Sequence, residues 1–308
     1  MKVDLIGGGG VSGGLLAVAH ISVYEAGLRL NLESARKIVF YASENNVSTI
    51  ILPYMQPYGP VIHLYDEGAK ENLRRFFALT RESTYMSTLT TLSSHYGVSI
   101  VLPTYLEKVS SKIYVSTALA SWDLEEGLVT RRKLVLNERE RVLGLSRGSD
   151  LEMFNDNGFI FNTLIEDEIF YPEIARFMVE NGVNLLIVGL PQLNPPKNYI
   201  ELSKSLALIF RVWVLVPGSR LVMRDNTVYS LPTLLINPEG EIIYKHYASD
   251  EAFIVMPKGL LKSTPRTIGL NSRAFYKLYR MIYKRYSIYG GFARESGPSK
   301  SEQPRRPR

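Results

Sequence analysis

The chain has no cysteine in its 308 residues. That excludes a disulfide framework, a thiolate zinc or iron–sulfur site, and catalysis through a cysteine nucleophile. Histidine is scarce as well, with four residues scattered at positions 20, 63, 95 and 246. No histidine cluster therefore argues for a transition-metal centre. Long apolar runs are also missing. The longest candidate, LALIFRVWVLV (206–216), is interrupted by Arg211, whereas a membrane-spanning helix needs about 20 apolar residues. The apolar N-terminal stretch is disturbed by Asp4 and His20 and has no small-residue cleavage site, so no signal peptide is read there. The expectation is a cytoplasmic protein with no membrane partner. Acidic residues are lacking in one region. Residues 273–308 hold ten Lys or Arg against two Asp or Glu, while the whole chain carries a net charge of +6. The basic character thus belongs to the C-terminus and not to the rest of the chain.

What is present points to an α/β fold. VSTIILP (47–53), VSIVLP (98–103), VNLLIVGLP (183–191) and VWVLVP (212–217) are short β-branched runs that end in proline. Each follows a stretch with helical apolar spacing, and near-continuous apolar strands suggest burial on both faces. KIYVSTALASW (112–122), GLVTRRKLVL (127–136), TVYSLPTLLI (227–236) and EIIYKHY (241–247) alternate instead and read as hairpin strands. DNG (156–158) and PEG (238–240) supply turns. The expected organisation is a Gly-rich N-terminal extension over 1–14, one domain over 15–270, a basic and aromatic helix over 271–289, and a disordered basic tail over 290–308.

Two features invite specific functions. Gly8, Gly10 and Gly13 satisfy G-x-G-x-x-G after a strand-like KVDLI, with Glu33 twenty residues beyond Gly13. A dinucleotide site needs a helix after the glycines and then a strand ending in the acid. Here Leu15 onward reads as a strand and Glu33 opens a helix, so a glycine linker is expected and no cofactor. Near the other end, Lys277, Arg280, Lys284 and Arg285 alternate with Tyr276, Tyr279, Tyr283 and Tyr286. Such interleaving suits nucleic acid, because cations meet phosphates and rings stack on bases. The stripe Phe275, Leu278, Ile282 and Tyr286 equally suits packing on a core or a partner subunit.

Three segments together resemble the carbon–nitrogen hydrolase (nitrilase) superfamily: NLESARKIVFYASENNVSTIILPY (31–54), RRKLVL (131–136) and FNTLIEDEIFYPEIARFMVENGVNLLIVG (161–189). INPEGEII (236–243) is similar to a late family hairpin, so the resemblance spans roughly residues 17–260. It implies an α/β nitrilase-like αββα four-layer sandwich, usually paired through helices into a homodimer. The family's chemistry uses a Glu base, a Lys that stabilises the oxyanion, and a Cys nucleophile. By position these places fall on Tyr54, Lys133 and Glu166, so only the lysine is kept. A phenol with a pKa near ~10 accepts protons poorly at neutral pH. A carboxylate attacking an amide would form a mixed anhydride. A further family acid falls on Glu138 or Glu140. The substrate segments depart too, at LALIF (206–210) and at Leu231-Pro232-Thr233. The resemblance therefore implies a pseudoenzyme that serves as a binding or assembly protein, or that holds a small molecule in the relic pocket. An active hydrolase with a non-standard triad and a nucleic-acid binder using the C-terminal tail are the alternatives.

The acidic trio Glu166, Asp167 and Glu168 is divided by this comparison. Asp167 and Glu168 are expected to favour a helix N-terminus through its dipole. Glu166 is expected to neutralise Lys133 in a buried ion pair, because an unpartnered buried cation is expensive. A metal held by Glu166 and Glu168 lacks further ligands in the sequence, so no metal is expected.

Overall fold

A strand that is apolar on both faces must be covered on both sides, and a helix with one apolar stripe supplies one of those covers. The computed structural model shows this arrangement over the residues it describes, which are 2–7, 14–61, 70–247, 250–262 and 277. The chain divides into two units, Met1–Arg266 and Thr267–Arg308. The expected C-terminal helix and tail lie outside the described residues, apart from Lys277, which is helical and exposed. Gly8, Gly10, Gly13 and His63 lie outside them as well.

One sheet of seven strands runs β1 (Lys2–Leu5), β16 (Ala252–Pro257), β2 (Leu15–His20), β4 (Val47–Ile51), β5 (Ser99–Val109), β6 (Lys112–Ala120) and β7 (Leu128–Arg132). A second, of six strands, runs β15 (Ile242–His246), β14 (Thr233–Ile236), β11 (Trp213–Val216), β10 (Leu185–Gly189), β9 (Phe159–Ile165) and β8 (Phe154–Asp156). A three-stranded ribbon joins β13 (Val228–Leu231), β12 (Ser219–Val222) and β3 (Ser22–Tyr24). The inner faces of the two large sheets meet in one core. Leu16, Val18, Ile51, Val101 and Leu119 from the first pack with Phe161, Leu185, Ile187 and Leu215 from the second. Outside the first sheet lie α1 (Leu28–Glu44) and α2 (Thr84–Tyr96), and outside the second lie α4 (Pro172–Glu180) and α5 (Tyr199–Phe210). A shorter helix, α3 (Glu138–Val142), follows β7. Helix, sheet, sheet, helix is the four-layer sandwich expected from the sequence.

The helices form where the apolar spacing placed them. α1 buries Leu32, Ala35, Ile38, Val39 and Ala42, a stripe at intervals of three and four. Ser83 caps α2 through its side chain, and Gly97, with φ of 65°, ends it in the left-handed conformation that favours glycine. Glu33 sits within α1, and the segment after the glycines is the strand β2. The context that a dinucleotide motif needs is therefore not met on either side.

Proline explains several departures. β5 does not stop at Pro103 but continues to Val109, with a register shift between Leu102 and Tyr105. A residue without an N–H is accommodated at such a bulge. The run 227–236 is two strands in different sheets, divided at Pro232. The run 127–136 leaves its sheet after Arg132. At the N-terminus, Lys2–Leu5 pairs in parallel with β16, so part of the expected extension is an edge strand of the first sheet.

Candidate functional site

Three strand ends converge at one place. β4 leads into Tyr54, β7 ends at the residue before Lys133, and β9 ends at the residue before Glu166. The lysine backbone is fixed on both sides, since its N–H donates to Val115 O (2.8 Å) and its carbonyl accepts from Gly148 N (2.7 Å). The bulge in β5 also contributes, because the Thr104 hydroxyl accepts from Met55 N at 3.0 Å and ties down the segment carrying Tyr54.

Lys133 is completely buried, and its ammonium is surrounded by carboxylates. It lies 2.7 Å from Glu140 Oε1, 3.1 Å from Glu166 Oε2 and 3.3 Å from Asp167 Oδ2. The Tyr54 hydroxyl, also fully buried, donates to Glu166 Oε1. The structure thus brings Tyr54, Lys133 and Glu166 together, and the expected Lys133–Glu166 ion pair is formed. Burial alone would lower the lysine pKa, but Glu166, Glu140 and Asp167 outweigh it and hold the group above the ordinary lysine range. Burial, reinforced by Glu166, pushes the Tyr54 phenol well above its ordinary value. This group donates a hydrogen bond and takes no proton at neutral pH.

Of the two acids Glu138 and Glu140, it is Glu140 that meets the lysine. It is fully buried, whereas Glu138 is exposed. Asn137 and Glu140 form a reciprocal capping box at the start of α3, with Asn137 Oδ1 accepting from Glu140 N and Glu140 Oε2 accepting from Asn137 N, both at 2.9 Å. The other carboxylate oxygen takes the lysine. Burial and the neighbouring Glu166 charge raise the Glu140 pKa to about 8, against the pull of Lys133. The N-x-x-E spacing of a capping box was the sequence signal that could have picked out Glu140.

Asp167 and Glu168 do lie in the first turn of a helix, as expected, but a different one, and their carboxylates are taken up by ion pairs. Both belong to a separate 3-10 turn, Glu166–Phe170, and not to the first turn of α4, which holds Pro172 and Glu173. Asp167 accepts from Lys133 and, at 2.6 Å, from Asn137 Nδ2. Glu168 is fully buried in a two-pronged pair with Arg131, at 3.1 and 2.6 Å. Its oxygens also accept from Leu134 N (2.8 Å) and Ile165 N (2.9 Å). Arg131 donates in addition to Thr163 O. Glu168 therefore clamps the end of β7 to the end of β9, and it does not share a ligand set with Glu166. The trio is divided in two: Glu166 and Asp167 both meet Lys133, whereas Glu168 turns to Arg131.

Glu166 has a φ of +50°, in the left-handed region that a non-glycine residue rarely occupies. Such a conformation costs about 1–3 kcal/mol and persists where the surroundings over-determine it. Here the Glu168 clamp and the contacts of Glu166 to Lys133 and Tyr54 do so. Carboxylate oxygens of Glu140, Glu166 and Asp167 lie within 4.8 Å of one another. The Lys133 ammonium already supplies positive charge to all three.

A family model described as carbon-nitrogen hydrolase matches residues 15–255. A probable nitrilase of Schizosaccharomyces pombe is 26% identical over 217 residues, covering 69% of this chain and 76% of that protein. Among solved structures, Saccharomyces cerevisiae Nit3, a member of branch 10 of the nitrilase superfamily, superposes with a TM-score of 0.67 at 18% identity. The match covers 83% of this chain and 94% of that one. A mutant of the Nesterenkonia AN1 amidase, from the nitrilase superfamily, gives 0.65 at 13% identity, covering 89% of this chain and 100% of that one. At these identities the structures speak for the fold alone. With the family model spanning most of its length, the chain belongs to the carbon–nitrogen hydrolase family.

Proposed function

We propose that this chain is a catalytically silent member of its family that works as a binding and assembly protein. The supporting observation is the state of Glu166, at the nucleophile's place by resemblance. It is only 2% exposed, with Oε1 held by the Tyr54 phenol and Oε2 by Lys133. A nucleophile needs an approach to the carbon it attacks, and this carboxylate is engaged on both oxygens. The closed site favours assembly over small-molecule binding. The partner is a second copy of the chain. Phe170, Tyr171 and Phe177 are exposed along the 3-10 turn and α4, and Leu208 and Ile209 are exposed on the neighbouring α5. An apolar surface of this kind on an outer helical layer suits association, in the manner the resemblance implies.

Turnover of small amides and nitriles by the purified chain tests the reading. The expectation is none above the buffer rate. Glu166→Cys is also expected to stay inactive, because Tyr54 still cannot serve as base. It should lose roughly 1–3 kcal/mol of stability with the removal of a buried acceptor. Robust amidase activity in either protein would overturn the reading.

A second reading, an active hydrolase built on Lys133, Glu140 and Glu166, is favoured by the positive φ of Glu166, because backbone strain of this kind clusters at functional sites. On that reading turnover is present in the unaltered chain and is lost in Lys133→Met.

A further inference from the structure

β1 forms one edge of the first sheet. Lys2 N–H donates to Glu251 O at 3.1 Å and Ile6 N–H to Val255 O at 2.9 Å, and Lys2 lies in register with Ala252. In a parallel ladder alternate residues turn both backbone groups to the same neighbouring strand. Lys2, Asp4 and Ile6 therefore face β16, and the N–H and C=O groups of Val3 and Leu5 face away from it. Among the described residues no strand pairs with that side. An open row of donors and acceptors is a template for another strand.

The side chains sort by face in the same way, since they alternate along a strand. Val3 and Leu5 share one face and are exposed, Leu5 at 79%. Lys2 and Asp4 share the other and pair at 3.1 Å, with the lysine side chain 66% exposed. The Tyr244 hydroxyl of β15 donates to Asp4 at 2.5 Å and holds its carboxyl below the ordinary pKa, so the acid stays charged. β1 and the end of β15 line one open cleft of about 510 Å³, and Tyr247 in its lining is exposed.

We propose that β1 is a docking edge for a second copy of itself, the two strands pairing antiparallel about a two-fold axis at Val3, so that the seven-stranded sheet continues into the second copy. This register sets the outward backbone groups of Val3 against those of Val3 in the second copy, which makes a hydrogen-bonded pair. It sets Lys2 of each chain opposite Asp4 of the other. Val3 and Leu5 of both chains then form one apolar strip on one face, through direct and diagonal neighbours. The other registers in phase with the hydrogen bonds are poorer. Centring on Lys2 or on Asp4 opposes like charges. Centring on Leu5 runs the pair into Gly7, whose φ of 82° lies outside the strand conformation. A lysine on a short edge strand commonly discourages pairing. Here Asp4, two residues on, turns that guard into a match for its own copy. The exposed helical face of α4 and α5 is a separate surface, and an isologous contact at each would build assemblies larger than a dimer.

The test is sedimentation velocity over a concentration series on the full chain, carrying no N-terminal addition, and on Val3→Pro, Lys2→Glu and Phe177→Glu. The Val3 N–H faces away from β16, so proline there removes the donor to the second copy and leaves the ladder to β16 intact. Val3→Pro should weaken the β1 contact roughly tenfold or more through the two hydrogen bonds lost across the axis. Lys2→Glu, which sets acid against acid, should weaken it roughly threefold or more. Exchange protection of the Val3 and Leu5 amides should rise with concentration in the unaltered chain. A chain that is monomeric throughout, association untouched by the two β1 variants, or Val3 and Leu5 amides that stay unprotected in the associated chain would sink the edge pairing. Circular dichroism shows whether Val3→Pro is folded, and if it is not, Lys2→Glu and the amide protection decide. Association lost in Phe177→Glu and kept in the β1 variants removes the edge and leaves the helical face standing. Association lost in the β1 variants and kept in Phe177→Glu does the reverse.

Discussion

At the level of single residues, the site is a problem in charge balance. A lysine in the interior needs a counter-charge, and Glu166, just past the end of β9, supplies one to Lys133 at 3.1 Å. Sequence reading reached this far for Glu166, because the position of one residue relative to another was fixed by the resemblance. It did not reach Glu140, since two acids two positions apart in sequence differ in burial only once α3 is packed. The Glu140 pKa, raised from an ordinary 4.5 to about 8, has a signed consequence. The protonated form is favoured in the folded state, so the stability from this group is present in full below about pH 4.5. It is lost as the pH rises through about 8. Denaturant unfolding of the unaltered chain at a series of pH values should show this decline. Glu140→Gln should flatten it, and an equal slope in the variant would place the titration elsewhere.

Among the elements, the decisive contacts are those that tie loop to strand. Glu168 holds Arg131 from the end of β7 and two backbone N–H groups at the ends of β7 and β9. Breaking such a buried pair from one side leaves the other charge stranded. Arg131→Met should therefore cost about 3–5 kcal/mol. The double variant Arg131→Met/Glu168→Gln should recover part of that loss, because the amide keeps an acceptor for the backbone without a stranded charge. Urea midpoints of the three proteins decide the matter, and a double variant weaker than the single would contradict the clamp. From sequence, Asp167 and Glu168 read as ordinary residues of a helix start. They do start a short 3-10 helix, but the ion pairs that engage them there are set by tertiary contacts. Similarly, Pro103 read as a strand end, whereas a bulge carries β5 past it and lets Thr104 support the Tyr54 segment.

For the whole molecule, what covers the outer helices matters most. Phe170, Phe177, Leu208 and Ile209 are exposed on one side of the second sheet's helical layer. If a second copy sits there, Phe177→Glu or Ile209→Lys should weaken self-association by roughly tenfold or more while leaving circular dichroism and urea unfolding of the monomer near those of the unaltered chain. Sedimentation equilibrium reads the change, and an unaltered dimer would move the interface elsewhere. Among the described residues no helix is long and apolar enough to cross a membrane.

The layers were dictated by the order of residues alone. Apolar runs bounded by proline, alternating with helical spacing, leave few ways to bury both faces of each strand, and the order of motifs placed Tyr54, Lys133 and Glu166 at strand ends. The same chain order left no thiol for the family's chemistry. Which acids meet the lysine was settled by packing in three dimensions. That choice depends on a left-handed residue, a five-residue turn and a five-residue helix, and on burial that local propensity does not encode. Of the four acids brought together here, Glu166 and Glu140 pair with Lys133, Asp167 bridges Lys133 to the cap of α3, and Glu168 holds Arg131. Charges in a closed interior find partners by position in space, and position in space is what the packed layers supply.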